Sequence, residues 1–259
     1  MKIVACCKVV PNEEEIKVLP NREIELPGAE AMEGTPWKIS QYDLNALESG
    51  KQLAAATGGT LTALSIGTHT ALDAAKIRKD ILSRGADDLS LVINDRPLED
   101  SLENAKALAE ALEGMEYDLV LCGVGSADLY LQETGIQLGA LLGLPTVNNV
   151  SGIEPAGDGV LRVERVLEDE VEVLEVTLPA VLSVSSEINV PSIPAMRDIM
   201  RAGRKPMNEL APTSGDAASV ETVSELAPEK QERRCQVIEG DGEEAVDALV
   251  QFLKKECLN

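Results

Sequence analysis

Aromatic residues and histidine are almost missing from this chain. Its 259 residues include one Trp, one Phe, three Tyr and a single histidine, His69. So few rings provide no stacking platform for the bases of a nucleic acid. One histidine also nearly excludes histidine-dependent catalytic triads and metal sites built from several histidines.

Basic residues are scarce relative to acidic ones. The chain has 23 Lys and Arg residues against 45 Asp and Glu residues, a formal net charge of -22. This charge repels phosphate backbones and anionic lipids, so nucleic acids and membrane surfaces are poor partners. The apolar stretches fall short of the roughly 20 residues that span a bilayer, and MKIVACCKVV lacks a signal-peptide cleavage pattern. We expect a soluble, cytoplasmic protein without membrane insertion.

Motifs for disulfides, metals and phosphotransfer are missing as well. The cysteines are odd in number and lack CxxC spacing: Cys6, Cys7, Cys122, Cys235 and Cys257. They are therefore predicted to be reduced thiols, without a disulfide framework or a zinc site, and we predict no metal centre. The sequence contains no GxxxxGK(S/T) loop, which argues against a P-loop phosphotransferase.

The first half of the chain alternates apolar runs with amphipathic segments. Strands are predicted at residues 3–10, 61–66, 89–93 and 119–122. Three helices are predicted between them. The first begins with a capping box at Ser40 and Asp43, the second ends at Gly85, and the third begins at the cap residue Asp100. This alternation predicts an α/β fold with a doubly wound, mostly parallel, Rossmann-like sheet.

The loops of such a sheet identify where a ligand would bind. Ligands lie beyond the carboxyl ends of parallel strands, near the point where the strand order reverses. The loops at residues 7–11, 66–70 and 123–134 are therefore expected to converge there.

The second half of the chain reads as a β meander followed by an extended arm. Four strand-like segments follow one another closely, at residues 147–153, 160–166, 171–178 and 180–184. Residues 208–233 are polar and rich in Ala, Ser, Glu and Pro, the composition of an extended arm. A last amphipathic helix carries an apolar stripe that this chain or another must cover: Ala245, Ala248, Leu249 and Phe252.

An apolar run ends abruptly at two glycines within residues 117–145, which read YDLVLCGVGSADLYLQETGIQLGALLGLP. Gly123 and Gly125 lack Cβ atoms, so the backbone there can adopt positive φ and an anion can approach the N–H groups at a helix start. The helix is predicted to run from Leu131 to a stop at Gly143. A structural βα turn explains the same glycines, because GxG without a third spaced glycine is not the dinucleotide fingerprint.

Two prolines in INVPSIPAM predict an irregular, exposed loop at residues 189–196. Ile193 and Met196 are apolar groups on this loop, and they either pack against the domain or form a docking knob for a partner. A basic run follows, which either meets an acidic protein surface or forms a solvated helix face: Arg197, Arg201, Arg204 and Lys205.

Five motifs resemble those of a known family and occur in the same order. They are MKIVACCKVVP, KISQYDLNALE, GVGSADLYLQETG, VERVLEDEVEVLEVTLPAVLSV and INVPSIPAMRDIMRAGRKP. The chain resembles the beta subunits of electron transfer flavoproteins, in particular the FixA-like members. By this resemblance, residues 1–205 form the nucleotide-binding core, with the meander from about 146 and a docking loop at about 189–200. Residues 206–259 would be an arm and helix that pack on a partner subunit.

The resemblance implies a heterodimer with two nucleotide sites. A FixB-like alpha subunit would hold most of the redox FAD, while the beta subunit buries AMP or, in electron-bifurcating members, a second FAD. The implied contacts to this second nucleotide are Cys6, Ser40, Gln41, Tyr42, Asp43, Ile66, Gly123, Val124, Gly125, Ser126, Ala127, Asp128, Leu129, Tyr130, Leu131, Gln132, Glu133 and Thr134.

The resemblance also implies a redox partner of the acyl-CoA dehydrogenase or quinone-reductase type. It places the anchor side chain at about Met196. The implied docking residues are Pro191, Ile193, Met196 and Ile199.

Two features of the implied site follow from side-chain chemistry. A carboxylate repels phosphate, so Asp128 is expected to cap the helix, orient a ribose hydroxyl or take part through a cation. A ring stacked on adenine or flavin is expected to be Tyr42, Tyr130 or Trp37. The family's usual loop carries consecutive acids and a Gln-Thr pair, from which SADLYLQET departs, so AMP and a second flavin both stay open.

Electron relay is the expected function, because the chain shows no set of acid, base and nucleophile and a flavin would carry the chemistry. Three hypotheses stay open. The chain is an accessory subunit with a structural AMP, a redox-active subunit with its own flavin, or a stand-alone ATP-binding or hydrolysing α/β domain. The third predicts a monomer that acts on ATP without a partner.

Overall fold

A computed structural model describes residues 1–25, 36–94, 100–211, 220, 223–229, 235 and 237–256. Its strands are β1 Lys2–Cys6, β2 Val9–Pro11, β3 Lys17–Val18, β4 Ile24–Glu25, β5 Trp37–Ile39, β6 Thr60–Gly67, β7 Asp88–Ile93, β8 Leu119–Gly123, β9 Thr146–Gly157, β10 Val160–Val166, β11 Val171–Thr177, β12 Ala180–Val184 and β13 Met207–Leu210. Its helices are α1 Gln41–Thr57, α2 His69–Leu72, α3 Ala75–Ser83, α4 Ser101–Glu113, α5 Thr134–Leu142, α6 Met196–Ala202 and α7 Glu243–Glu256.

One nine-stranded sheet, in the order β11-β10-β9-β12-β8-β1-β6-β7-β13, organises the chain. In this spatial order, the seven strands from β9 through β12, β8, β1, β6 and β7 to β13 pair in parallel. β10 pairs antiparallel with β9 and with β11. Alternate residues of β1 face opposite sides: Ile3 packs in a core with α1 and α3, and Val4 packs in a second core with α4 and α5. Helices on both faces confirm the doubly wound, mostly parallel α/β fold.

The predicted first strand is too long. β1 ends at Cys6, and the chain leaves the sheet before β2, which pairs antiparallel with β5. The cause is a tertiary contact, because the N–H group of Lys8 donates to the Asp43 carboxylate, at 2.8 Å, instead of extending the ladder.

The helices differ from prediction at two places. The predicted helix that ends near Gly85 is two helices, α2 and α3, which are separated at Asp73 and Ala74. α5 begins at Thr134 instead of Leu131, because Tyr130 and Gln132 adopt positive φ and interrupt the helix. Two other predictions are confirmed: Asp100 caps α4 by accepting the Glu103 N–H at 2.6 Å, and Gly143 ends α5 in the left-handed conformation.

The β meander contains three strands, not four. β9, β10 and β11 are antiparallel neighbours, and Gly157 and Gly159 make the first turn with positive φ. β12 was predicted as part of this meander, but it inserts in parallel between β8 and β9. All five of its residues are buried, as expected of a parallel strand covered on both faces.

The described part of the C-terminal region includes one strand of the main sheet and one helix. β13 extends the sheet beside β7. The chain divides into two compact units, Met1–Glu225 and Leu226–Asn259, and the second contains α7. The predicted amphipathic helix is confirmed, and none of its residues is buried. Cys257 and much of the predicted arm at 208–233 lie outside the described residues.

Within the described ranges, no helix is both long enough and apolar enough to cross a bilayer.

Two glycines seat α5 directly on the sheet. A Cβ atom at Gly135 would overlap the Ser183 hydroxyl of β12, and one at Gly139 would overlap Thr146 Oγ1 of β9. The two glycines lie four residues apart, so they share one face of the helix. The start of α5 is thereby held close to the ends of β8 and β12.

We predict that Gly139→Ala lowers the free energy of unfolding by about 1–3 kcal/mol, because the new methyl group must displace α5 or Thr146. Urea denaturation would measure this loss. Gly114→Ala is the matched control, since a Cβ at Gly114 would meet nothing within 4 Å and its φ is -90°. Equal stabilities of the two variants would contradict the prediction, whereas adding Thr146→Ala should restore part of the loss.

Candidate functional site

A cleft lies at the carboxyl ends of β1, β6 and β8, beside the first turns of α4 and α5. It opens to solvent and is lined by apolar and polar groups, as small-molecule sites commonly are. Twelve of the residues expected to contact a nucleotide line it: Cys6, Asp43, Ile66, Gly123, Val124, Gly125, Ser126, Leu129, Leu131, Gln132, Glu133 and Thr134.

The remaining expected residues surround the cleft without lining it: Ser40, Gln41, Tyr42, Ala127, Asp128 and Tyr130. Sequence reasoning missed a further set of lining residues: Cys7, Lys8, Leu64, Asp100, Ser101, Asn104, Leu108, Cys122 and Gly135. The sequence carried a signal for two of these residues. Lys8 lies in the loop at residues 7–11, which was expected at this edge of the sheet. Asp100 was recognised as a helix cap, but the sequence did not place that helix beside the cleft.

The Asp43 carboxylate joins the two loops that enclose the cleft. It accepts the Lys8 N–H at 2.8 Å and the Gly123 N–H at 3.0 Å, and the Ser40 hydroxyl bonds the same carboxylate. Asp43 is only 7% exposed. Its burial raises the pKa of the carboxyl to about 7, although the hydrogen bonds to Lys8 and Gly123 oppose the rise.

The predicted capping box at Ser40 and Asp43 is wrong. Ser40 is the N-cap residue of α1, but its side chain makes no capping hydrogen bond. Its hydroxyl instead accepts the Ala127 N–H at 3.2 Å, and Asp43 bonds the loops described above. Both side chains therefore connect α1 to the cleft, where the sequence pattern indicated local bonds within the helix.

Gly123, which ends β8, and Gly125 beyond it allow close packing. Neither Gly123 nor Gly125 has positive φ, so the conformational freedom of glycine is not used at these positions. A Cβ at Gly123 would lie 2.5 Å from the Asp43 carboxylate, and one at Gly125 would lie 2.6 Å from the ring of Tyr130. Glycine is needed at both positions because other side chains occupy the space.

Lys8 forms an ion pair with Asp128 at the cleft. Its ammonium group donates to the Asp128 carboxylate at 2.7 Å. Burial opposes ionisation of Asp128, but hydrogen bonds from Lys8 and Ser126 outweigh it and hold the pKa of Asp128 below its ordinary value. Asp128 does not cap α5, since Glu133 is the N-cap residue. The contacts of Asp128 show partnership with a cation, Lys8, and its expected role toward a ribose hydroxyl stays a prediction.

The first turn of α5 faces the cleft with Thr134 and Gly135. The N–H groups of a helix's first turn have no carbonyl partner within the helix, and they favour an anion. The Glu133 carboxylate beside them accepts the Ser101 hydroxyl at 2.6 Å, which ties α5 to α4. Three loop N–H groups, those of Ala127, Leu129 and Tyr130, already have partners and are not open to a ligand.

Tyr42 and Tyr130 stack on each other. Their ring centroids are 5.1 Å apart with an interplanar angle of 31°. Tyr130 adopts φ of 51°, a conformation uncommon for a residue with a side chain, and its ring covers Gly125. The third candidate ring, Trp37, packs against the core that contains α1. The tyrosine pair forms an outer wall near the cleft without lining it.

Two thiols, those of Cys6 and Cys122, form part of the cleft floor. Ala5 pairs with Leu121, so Cys6 and Cys122 are neighbours on adjacent parallel strands. A hydrogen bond with Cys122, together with burial, raises the pKa of the Cys6 thiol well above its ordinary value. Cys6, Cys7, Cys122 and Cys235 are free thiols. No cluster of three or more metal-ligating side chains occurs in the described ranges.

Residues 30–214 match the family model described as the electron transfer flavoprotein domain. This match covers well over half of the 259 residues. The chain belongs to the electron transfer flavoprotein family. Proteins with the electron transfer flavoprotein domain are electron carriers that associate with flavin and work with partner subunits and dehydrogenases.

The cleft combines one basic side chain with apolar and polar surface. Lys8 is the one basic side chain among its described lining residues. Ile66, Leu64 and Leu108 supply apolar surface, and Asp100 and Asn104 supply polar groups at the start of α4. A cation and a helix start that line one cleft with apolar walls are groups able to hold the anionic and aromatic parts of a nucleotide.

The segment expected to dock a redox partner lies apart from the residues that line this cleft. Ile193 is 91% exposed and Met196 is 73% exposed. Ile199 is also exposed, and Pro191 is half-buried. Residues 189–195 are irregular, as predicted, and α6 begins at Met196. Lys205 is not a solvated charge, because it donates to the carbonyl groups of Leu82 and Ala86.

We predict that ionisation of Asp43 destabilises the fold. Its folded-state pKa of about 7 exceeds the ordinary value, so the folded protein holds this proton more tightly. The contribution of Asp43 to the free energy of unfolding should therefore fall as pH rises from about 4 to 7, by at most about 1.4 kcal/mol per unit. Urea titrations should show the wild type losing stability relative to the Asp43→Asn variant over this range. A difference that does not vary with pH would contradict the prediction.

Proposed function

We propose that this chain is the beta subunit of a heterodimeric electron transfer flavoprotein of the FixA-like type. It relays electrons between a dehydrogenase or other donor and an acceptor by way of FAD that a FixB-like alpha subunit mainly holds. The chain itself binds an adenine nucleotide, AMP or a second FAD, in the cleft. The observation that carries the proposal is the cleft at the carboxyl ends of β1, β6 and β8, with Lys8 and the start of α5 at its wall.

The cleft residues have separate tasks in holding the nucleotide. Lys8 and the first-turn N–H groups of α5 hold phosphate, and Asp128 fixes the Lys8 side chain. Cys6, Ile66 and Leu108 provide the apolar surface for a ring. A flavin, where one is bound, supplies the redox chemistry, and the protein supplies orientation and electrostatics.

The proposed function needs no acid or base from this chain. Asp43 has a raised pKa, but its carboxylate is occupied by the N–H groups of Lys8 and Gly123. The Cys6 thiol is neutral for the reasons given above, so it is a weak nucleophile. Both groups support binding and shape, as expected of an electron carrier.

The partners follow from two exposed apolar surfaces. The docking surface, formed by Pro191, Ile193, Met196 and Ile199, would receive a redox partner of the acyl-CoA dehydrogenase or quinone-reductase type. The apolar stripe of α7 supports the proposal that residues 206–259 pack on the alpha subunit. The proposed compartment is the cytoplasm.

Nucleotide analysis of the purified complex tests the proposal. The chain would be co-expressed with its alpha subunit, the complex heated to release nucleotides, and AMP and FAD quantified per heterodimer. We expect one adenine nucleotide in addition to the FAD of the alpha subunit. One AMP and one FAD, or two FAD, both support the proposal and choose the cofactor. A monomer that hydrolyses ATP without a partner, or failure to form a complex, would overturn it.

We predict that Lys8→Gln weakens nucleotide binding by tenfold or more. The variant loses a charge-assisted contact to phosphate and leaves the Asp128 carboxylate without its cation. Calorimetric titration of AMP into nucleotide-stripped heterodimer would measure the loss. Lys8→Arg is the control that keeps the charge, and Lys8→Gln with Asp128→Asn should recover part of the affinity. An unchanged affinity of Lys8→Gln for AMP would show that Lys8 does not contribute to nucleotide binding.

We predict that Ile193→Ser weakens electron transfer with a dehydrogenase without destabilising the fold. The side chain is 91% exposed, so its loss should change the free energy of unfolding by no more than about 0.5 kcal/mol. The KM for a recombinant acyl-CoA dehydrogenase, used as electron donor, should rise about tenfold. Val18→Ser is the control, an exposed apolar residue on β3. An equal KM for both variants would argue against this docking surface.

A further inference from the structure

The docking surface is attached to α1 by polar groups that are themselves buried. Asn45 of α1 is 1% exposed and donates to the Asn189 carbonyl at 2.8 Å. The Asn189 amide returns a hydrogen bond to the Asn45 carbonyl at 3.1 Å and another to the Ser49 hydroxyl at 2.8 Å. This reciprocal pair fixes the residue at which the irregular segment 189–195 begins.

A buried carboxylate holds the next part of the segment. Glu48 is 8% exposed. Its Oε2 atom accepts the Ser192 hydroxyl at 2.7 Å and the Ser192 N–H at 3.3 Å, while Oε1 accepts the Gln52 amide at 3.1 Å. Lys51 donates to both Glu48, at 3.1 Å, and the Ser192 hydroxyl, at 2.6 Å.

Glu48 remains ionised in this environment. Burial opposes its ionisation, but hydrogen bonds from Ser192, Gln52 and Lys51 outweigh burial and hold the pKa of Glu48 below its ordinary value. A buried carboxylate is costly unless several donors satisfy it, so the contacts to Ser192 are strong constraints on the segment.

The far end of the segment is fixed as well. α6 follows directly, and its Ala202 is fully buried in the main core. Lys205, just beyond α6, donates to the Leu82 carbonyl at 2.9 Å and to the Ala86 carbonyl. Between these two anchors, Ile193 and Met196 stand exposed. The segment therefore presents apolar side chains from a backbone that is held at both ends.

We propose that Glu48 is a positioning residue for the docking surface, which fixes Ser192 so that Ile193 and Met196 are presented in one arrangement before a partner arrives. This inference rests on the proposed function. A segment that is already ordered loses less conformational entropy when it binds, so pre-organisation strengthens the complex without any new contact. Glu48 acts through Ser192 and does not touch the partner itself.

The test compares Glu48→Gln with the docking variant Ile193→Ser in the co-expressed heterodimer. Glu48→Gln should increase the rate at which thermolysin cleaves residues 189–196 about tenfold, and should raise the KM for recombinant acyl-CoA dehydrogenase roughly fivefold to tenfold. The kcat at saturating dehydrogenase and the nucleotide content should not change. Glu113→Gln is the matched control, because it removes one exposed carboxylate from α4.

The outcomes separate the inference from the proposed function. If Ile193→Ser raises the KM and Glu48→Gln changes neither the KM nor the cleavage rate, the positioning role is overturned and the docking surface stands. If neither variant changes the KM, both are overturned. Should Glu48→Gln fail to fold, Ser192→Ala answers the same question, since Ser192 is exposed and lies outside the core. It should change both readouts in the same direction as Glu48→Gln, and no change in either readout would overturn the role.

Discussion

The Asp43 carboxylate is the interaction on which the site depends. One oxygen accepts the N–H group of Lys8, which lies shortly after the end of β1. The other accepts the N–H group of Gly123, the last residue of β8. Together with the Lys8–Asp128 ion pair, this contact joins the two loops that enclose the cleft. The backbone of Lys8 takes its position from this contact, whereas the start of α5 is held by the Ser101–Glu133 hydrogen bond and by the close packing of Gly135 on Ser183.

Much of the fold could be predicted from sequence because its signals are local. Apolar runs located β6, β7 and β8, and the cap at Asp100 located the start of α4. The alternation also predicted that the loops at residues 7–11, 66–70 and 123–134 converge at the carboxyl ends of parallel strands, and residues of all three line one cleft. That inference needed only the alternation of strands and helices and the handedness of their connections.

The features that escaped prediction depend on contacts between distant residues. Lys8 and Asp128 are 120 positions apart, and no local pattern joins them. Ser40 and Asp43 have the spacing of a capping box, yet both side chains find partners in other loops, which local rules cannot foresee. β12 follows the meander closely in sequence, but its burial on both faces places it in the parallel part of the sheet.

Helix α1 fixes the angle around its axis between the residue that holds the cleft and the residues that hold the docking surface. Asp43 faces the cleft, and Asn45 and Glu48 hold residues 189 and 192. These residues lie within about two turns of one helix, where each residue advances the helix by about 1.5 Å and turns it by about 100°. One residue inserted or deleted between Asp43 and Asn45 would turn the docking contacts away from their partners while leaving Asp43 in place. The contacts of α1 therefore depend on the number of residues between these positions as much as on the chemistry of their side chains.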